Sequence, residues 1–246
     1  MMPVVGVGIV FAALAKDSPS RTARTSWNSY VELLREPDTF WFSFLYGLTF
    51  GGFVGFTSFL TTFFHEQYQL SRVSAGDFTT IVVVSGSLLR PLGGWLSDKV
   101  GGYRLLLSLL VVLSACLGVV AILPPLGVVV PMLFVTVGCL GMGNGAVFQL
   151  VPQRFASRMG IITGVVGAAG GLGGFFLPSI LGAAKDATGT YATGLMLFAG
   201  AFALGSLVLL ELGSRWSSTW QKDALKQSGI FCYRKKVRLA AIRNVS

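Results

Sequence analysis

Residues 81–95 read IVVVSGSLLRPLGGW, an apolar run with a single charge at Arg90. The run belongs to a longer stretch, residues 76–97, that has the length of a membrane-spanning helix. A charge at bilayer depth costs about 2.5–3.5 kcal/mol on insertion scales and normally faces a protein interior or a wet cavity, opposite a partner. The other apolar runs carry no carboxylate at this depth. Two interpretations of Arg90 are open: it binds an anionic ligand, or it binds backbone carbonyls or a carboxylate of another chain.

The composition predicts a polytopic membrane protein. Of the 246 residues, 53% are hydrophobic and 12% are charged, whereas soluble domains are about 25% charged. The 32 glycines are about twice the usual share, and small residues let membrane helices approach each other closely. The net charge of +9 is explained by basic loops at one membrane face, so we expect no nucleic-acid partner.

The residue types that metal sites and enzymes use are sparse. The three cysteines lie far apart and there is one histidine, so the sequence predicts neither a metal site nor a disulfide framework. No nucleophile–base pair can be assembled from these residues. We therefore expect no cofactor, no metal and no enzymatic activity.

Apolar run lengths and turn signals divide the chain into four parts. Residues 1–15 form a stretch that is too short to span a membrane, and we predict that it is the truncated end of a transmembrane helix. Residues 16–37 form a basic linker, residues 38–212 an all-α bundle, and residues 213–246 a basic tail. The bundle is predicted to contain six membrane spans, at residues 39–64, 76–97, 104–123, 127–150, 159–183 and 190–211.

The basic residues predict the orientation of the chain. With six spans, the linker, the links after the second and fourth spans and the tail all lie on one side, and they hold most of the lysines and arginines. The opposite links hold only Arg72 and Lys185, with Glu66 and Asp186 beside them. We therefore expect a multi-pass protein of the plasma or inner membrane, with its linker and C-terminal tail in the cytoplasm.

Several polar or small residues fall at one depth. A helix rises about 1.5 Å per residue, so Arg90, eight residues from Asp98, lies about 12 Å deep. The same count places Tyr46, Asn144 and residues 167–171 in this layer. Secondary transporters bind their substrates at this level.

Each residue of this layer has a binding interpretation and a packing interpretation. Tyr46 and Phe50 share a helix face; a phenol donor beside an aromatic wall suits a small flat anion, although such aromatics also pack bundles. Asn144 can donate to an anion or join two helices. The fifth span has a stripe of glycines that permits close approach of either a helix or a ligand, at residues 160, 164, 167, 171 and 174.

Residues 94–104, GWLSDKVGGYR, resemble the loop signature of the major facilitator superfamily, G-x-x-x-D-[RK]-x-G-x-[RK]-[RK]. Tyr103 departs from the signature at a position that is usually basic. The resemblance implies a latch on the cytoplasmic side that breaks and reforms as the two halves rock; a plain topology signal is the alternative. The matching residues, which we expect to form this latch, are Gly94, Asp98, Lys99, Gly101 and Arg104.

The runs GNGAVFQLVP at 143–152, the glycine-rich 164–178 and RPLGG at 90–94 resemble the nitrate/nitrite porter family of that superfamily. The resemblance covers only the second half of a twelve-helix fold. It implies a six-helix half of a major facilitator fold, preceded by a truncated N-terminal helix. In that family, one membrane-buried arginine from each half holds the planar anion, and Arg90 matches the second-half arginine.

The resemblance implies roles for the midplane residues. Tyr46 donates a hydrogen bond to the anion, Phe50 walls the site, and Gly167, Gly170 and Gly171 bring backbone close to the ligand. The expected function is transport of nitrate or nitrite across a lipid bilayer by alternating access, together with an N-terminal six-helix half from a longer chain or a partner.

Two rival functions stay open: a carrier of another small anion, and a half-length assembly subunit or non-functional remnant that does not transport. Anion exchange and proton symport are both compatible with the sequence.

Overall fold

The computed structural model describes residues 2–14, 27–155 and 158–216. The predicted basic tail from residue 217 onward, and the linker from residue 16 to residue 26, lie outside the described residues. The chain divides into two units, Met1–Glu36 and Pro37–Ser246. The first unit contains helix α1, Met2–Leu14, and the short helix α2, Trp27–Arg35.

The second unit contains six long helical stretches and no strand within its described residues. This architecture confirms the predicted all-α fold with a six-helix bundle. Only short links separate the helices. Their bounds are α3, Pro37–Tyr46, which continues through a π-helical segment, Gly47–Gly51, into α4, Gly52–Gln67; α5, Arg72–Val100; α6, Gly102–Ala121; α7, Leu126–Phe155; α8, Met159–Thr188; and α9, Tyr191–Trp216.

Five of the six helical stretches are both long and apolar enough to cross a membrane: Pro37–Gln67, Gly102–Ala121, Leu126–Phe155, Met159–Thr188 and Tyr191–Trp216. The remaining helix, α5, has 29 residues and is long enough but less apolar. It carries Arg90, and it packs against both α4 and α7. The chain is therefore an integral, multi-pass membrane protein.

Helices α5 and α7 cross closely because glycines face each other at the crossing. A Cβ atom added to Gly141 would lie 2.0 Å from the Gly86 carbonyl oxygen, and one added to Gly145 would lie 2.6 Å from the Gly94 nitrogen. Both distances are too short for any side chain. The two contacts flank Arg90 along α5, so its backbone is held directly against α7.

A cluster at one end of the bundle joins the start of α3 to the ends of α7 and α9. The Asp38 carboxylate accepts a hydrogen bond from Arg154 Nε at 2.5 Å and another from the Trp216 indole at 3.0 Å. The Trp216 ring stacks on Phe42 with a centroid distance of 5.1 Å. Antiparallel helices of similar length bring these three ends together.

The opposite end has its own cluster. Glu66 at the end of α4 accepts hydrogen bonds from Lys185 and from the Tyr191 hydroxyl. The Tyr68 hydroxyl donates to the Pro124 carbonyl at 2.8 Å, which links two turns of this end. The two end clusters define the long axis of the bundle.

Replacing Asp38 by alanine is expected to destabilise the bundle by about 1–3 kcal/mol, because a half-buried guanidinium and an indole N–H lose their common acceptor. The measurement is thermal unfolding of the purified protein in detergent. Asp77→Ala removes an exposed carboxylate and serves as the control. Equal melting temperatures for the two variants would contradict a structural role for the Asp38 cluster.

Candidate functional site

The π-helical segment Gly47–Gly51 orients the aromatic residues of the site. A π turn is wider than an α turn and occurs frequently at functional sites. Tyr46 ends α3 and Phe50 lies within the segment, and their rings stack in parallel with a centroid distance of 5.1 Å and an interplanar angle of 3°. Phe148 of α7 meets Tyr46 edge-on at 4.8 Å. The structure therefore brings together the two aromatics that the sequence assigns to the site.

Helix α8 accommodates this aromatic pair because it has no side chain at Gly170. A Cβ atom there would lie 2.6 Å from Tyr46 Cδ1 and 2.9 Å from Phe50 Cδ1. Next to it, a Cβ atom at Gly173 would lie 2.6 Å from the Gly47 carbonyl oxygen. Gly170 is thus in direct contact with the aromatic wall of the site.

Arg90 lies over aromatic rings and makes no hydrogen bond or ion pair with any residue that the structure describes. Its guanidinium carbon is 5.7 Å from the Phe50 ring centroid and 5.1 Å from the Phe53 ring centroid. Its Nε is buried without a hydrogen-bond partner. Cation–π contacts attract the guanidinium to the faces of the rings without a described hydrogen bond to its N–H donors.

Asn144 is a second polar residue of the layer, and it is only 3% exposed. Neither its amide nitrogen nor its amide oxygen has a hydrogen-bond partner among the described residues. A Cβ atom at the preceding Gly143 would touch Thr49 of the π segment at 2.8 Å, and one at the following Gly145 would lie 3.0 Å from the Arg90 carbonyl oxygen. Asn144 therefore lies on the part of α7 between the arginine helix and the aromatic wall.

The glycines of α8 lie on two faces of the helix rather than in one stripe. Gly170, Gly173 and Gly174 face the π segment and the start of α4, whereas Gly167 and Gly171 have no described atom within 4 Å of an added Cβ. Gly160 and Gly164 have equally open surroundings and continue the second face. Of the three glycines assigned to the ligand, the structure brings Gly170 to the aromatic pair and leaves Gly167 and Gly171 on this open face, where their role stays a prediction.

Residues 1–178 match the family profile of the Major Facilitator Superfamily. The chain belongs to the Major Facilitator Superfamily.

Curated relatives confirm the resemblance to the nitrate/nitrite porters. The chain is 36% identical over 208 residues to the nitrite extrusion protein of Bacillus subtilis (strain 168), a match that covers 84% of this chain and 52% of that protein. It is 41% identical over 166 residues to the probable nitrate/nitrite transporter NarK2 of Mycobacterium tuberculosis (strain CDC 1551 / Oshkosh), which covers 66% of this chain and 42% of that protein. The chain thus spans about half the length of the curated relatives it matches.

Solved structures show the same fold. The crystal structure of a variant of the E. coli fucose:proton symporter FucP aligns with a TM-score of 0.69 at 17% identity, and the match covers 85% of this chain and 53% of the symporter chain. A second FucP structure, in the outward conformation, aligns with a TM-score of 0.68 at 16% identity, and this match covers 84% of this chain and 51% of that chain. The described bundle is therefore a six-helix half of a Major Facilitator Superfamily fold.

The superfamily loop forms the sharp turn between α5 and α6. Gly101 has φ of +90°, in a region that favours glycine. Lys99 Nζ lies 3.9 Å above the Trp95 ring centroid, while the Asp98 and Arg104 side chains are exposed. Within the described residues, none of these three charged side chains forms an ion pair. The charges of the expected latch are therefore accessible. The groups that would pair with them stay a prediction.

Tyr103, which lies where the signature is usually basic, packs its ring against α9. A Cβ atom at Gly213 would lie 2.3 Å from the Tyr103 hydroxyl oxygen. The turn, Gln153 and Trp216 also border a cavity of about 290 Å³ at this end of the bundle. The Tyr103 ring thus fits because the neighbouring helix has no side chain at Gly213.

Two residues of the site, Phe53 and Phe148, are not predicted from the sequence. Phe53 is three residues from Phe50 and so lies on the same helix face, which is the signal that could have identified it. Phe148 is four residues from Asn144, but nothing in its spacing indicates that it meets Tyr46. Within the described residues, no group of three or more His, Cys, Asp or Glu side chains could hold a metal ion.

Replacing Gly170 by alanine is expected to destabilise the protein by about 1–3 kcal/mol, because the added methyl group would overlap the Tyr46 and Phe50 rings. Gly164→Ala is the matched control on the same helix, with no described atom within 4 Å of the new methyl group. Thermal unfolding in detergent measures both. A melting temperature for Gly170→Ala equal to that of Gly164→Ala would show that the rings are not held against α8.

Proposed function

We propose that this chain is the C-terminal half of a carrier that moves nitrate or nitrite across a membrane by alternating access. The proposal rests on the surroundings of Arg90. It is a permanent positive charge near the middle of a membrane bundle, it rests on two aromatic rings, and its N–H donors are free of partners among the described residues. An anion is the ligand that this arrangement fits.

The surrounding groups suit a small planar anion. A guanidinium fork donates two parallel hydrogen bonds to a pair of oxygens in one plane, and nitrate and nitrite both present such a pair. Tyr46 supplies a hydroxyl donor and Phe50 a flat wall. The amide nitrogen of Asn144 is buried without a described partner, which costs about 1–3 kcal/mol. A hydrogen bond from this nitrogen to the anion would remove that cost, so Asn144 supplies a further donor.

The second half of the site comes, in this proposal, from an N-terminal six-helix half. The match to only 52% of the Bacillus subtilis relative supports this view. So does the open face of α8 at Gly160, Gly164, Gly167 and Gly171, where an added Cβ atom would have no described atom within 4 Å. Small residues of this kind let a neighbouring membrane helix approach closely, and the ligand contacts proposed for Gly167 and Gly171 would lie along this boundary.

Alternating access requires contacts that break and reform at one face. Asp98, Lys99 and Arg104 lie at the α5–α6 turn, with Gly94 and Gly101 shaping the helix end and the turn. Their accessible charges suit reversible pairing with the other half, on the side that also holds the linker and the tail. This side is cytoplasmic in the proposal, because basic residues concentrate there.

A carrier of another small anion is the alternative, since a guanidinium fork also binds carboxylates. Competition of labelled nitrate uptake by unlabelled nitrite and by small carboxylates separates the two. Efficient competition by carboxylates alone would favour the alternative. A chain that neither binds an anion nor supports uptake, even together with an N-terminal half, would favour the assembly subunit or remnant.

Replacing Arg90 by lysine is expected to weaken nitrate binding about tenfold or more, because a point charge replaces a planar fork of donors. Binding is measured by titration calorimetry on the chain purified together with the N-terminal half of the Bacillus subtilis relative. Uptake is measured in cells that produce the chain alone or together with the N-terminal half of the Bacillus subtilis relative.

Arg72→Lys is the control for this substitution, because Arg72 is exposed at the start of α5 and its charge is retained in the same way. Nitrate binding by Arg90→Lys that equals that of Arg72→Lys would refute the assignment of Arg90. Uptake only when both halves are present would support the requirement for a second half.

The orientation is tested by labelling single cysteines with an impermeant maleimide in intact cells. Asp186→Cys, at the α8–α9 end, is expected to react at once, and Val100→Cys, at the α5–α6 turn, only after permeabilisation. The reverse pattern would contradict the proposed orientation. The background protein carries serine at its three native cysteines, Cys116, Cys139 and Cys232.

A further inference from the structure

We infer that Phe53 is a positioning residue that holds the Arg90 guanidinium in place for anion binding. The inference deepens the proposed function and rests on it for its consequence for the ligand. Of the two rings near the guanidinium carbon, Phe53 is the nearer, at 5.1 Å against 5.7 Å for Phe50. Phe53 has no part in the Tyr46 stack and no role in the anion wall proposed above.

The Phe53 ring packs against α5 at a glycine. Gly86 lies one turn before Arg90, on the same helix face. A Cβ atom at Gly86 would be 2.4 Å from Phe53 Cε2 and 2.9 Å from Cδ2. The ring of Phe53 therefore occupies the space that a side chain at position 86 would need. The same helix thus supplies the space for the ring and the charge that lies over it.

An aromatic face stabilises the arginine differently from a carboxylate. A carboxylate would accept the N–H groups as hydrogen bonds and compete with an incoming anion, whereas a ring attracts the positive charge through its own π face. The buried Nε has no hydrogen-bond partner among the described residues, so no described hydrogen bond fixes the rotation of the side chain. Phe53 and Phe50 are the described aromatic rings beside the guanidinium, and Phe53 acts on the anion only through Arg90.

The first experiment observes Arg90 directly and needs no anion. The Nε–Hε resonance of Arg90 is recorded by NMR on the purified chain with ¹⁵N-labelled arginine and assigned by its loss in Arg90→Lys. A proton above an aromatic face is shifted upfield by the ring current. We expect Phe53→Leu to move this resonance downfield and Phe53→Tyr to leave it close to its original position. An unchanged resonance in Phe53→Leu would overturn the inference.

The second experiment measures the effect on nitrate binding by titration calorimetry, on the chain purified together with the N-terminal half of the Bacillus subtilis relative. We expect Phe53→Leu to raise the dissociation constant about five- to thirtyfold, the range that a desolvated cation–π contact provides. Phe53→Tyr keeps a ring over the guanidinium and is expected to bind within about threefold of the unsubstituted chain. Equal losses in the leucine and tyrosine variants would indicate a ring that only fills space, and would also overturn the inference.

Phe56→Leu is the matched control. Phe56 lies on the same helix and is fully buried, and its ring meets Phe198 edge-on at 6.1 Å. The substitution is expected to lower the melting temperature without changing the Arg90 resonance or the dissociation constant. A change in the Arg90 resonance as large as that in Phe53→Leu would show that general loosening of the bundle, rather than loss of the Phe53 ring, moves the guanidinium.

The two proposals fail in different ways. If the substitutions give the expected resonance shifts but the unsubstituted chain binds no nitrate even together with the N-terminal half, the proposed function fails while the placement of the Phe53 ring against Arg90 stands. If the unsubstituted chain and the Phe53→Leu variant bind nitrate equally well, the positioning role fails while the proposed function stands.

Discussion

The structure depends on a guanidinium that is stabilised inside a membrane bundle without an opposite charge among the described residues. The Arg90 side chain lies over Phe50 and Phe53, and the backbone around it is pressed against α7 by the Gly86–Gly141 and Gly94–Gly145 contacts. Glycine packing fixes the position of the charge, and the aromatic faces stabilise it. Because neither uses its N–H donors, the cost of burying the charge is reduced while its capacity to bind a ligand is retained.

The rest of the bundle is arranged so that this centre is enclosed by helices tied at both ends. The Asp38 cluster joins α3, α7 and α9 at one end, and the Glu66 cluster joins α4, α8 and α9 at the other. In the described chain, the interior between them contains glycines and aromatics rather than paired charges. Strong polar contacts are therefore concentrated at the ends, where water is available, and the centre is left with unpaired donors that a ligand can use.

The six helices were predictable, but the contacts within the site were not, and the depth of the site stays a prediction. Apolar run length and residue counts located the six helices and placed Arg90, Tyr46 and Asn144 in one layer. The π segment was not predicted, because an added residue within a helix leaves hydropathy unchanged. The division of the α8 glycines into two faces, and the place of Phe53 beside Arg90, depend on which helix faces meet. Spacing along one helix carries no information about the rotation of its neighbour.

The fit between Tyr103 and Gly213 also limits how this sequence can diverge. A methyl group at position 213 would collide with the tyrosine ring, so the helix at the end of the bundle tolerates a larger residue there only if position 103 changes as well. Conversely, a basic residue at position 103 would leave the space of the tyrosine ring empty, and glycine would no longer be required at position 213. The two positions, 110 residues apart in the chain, are therefore expected to vary as a pair.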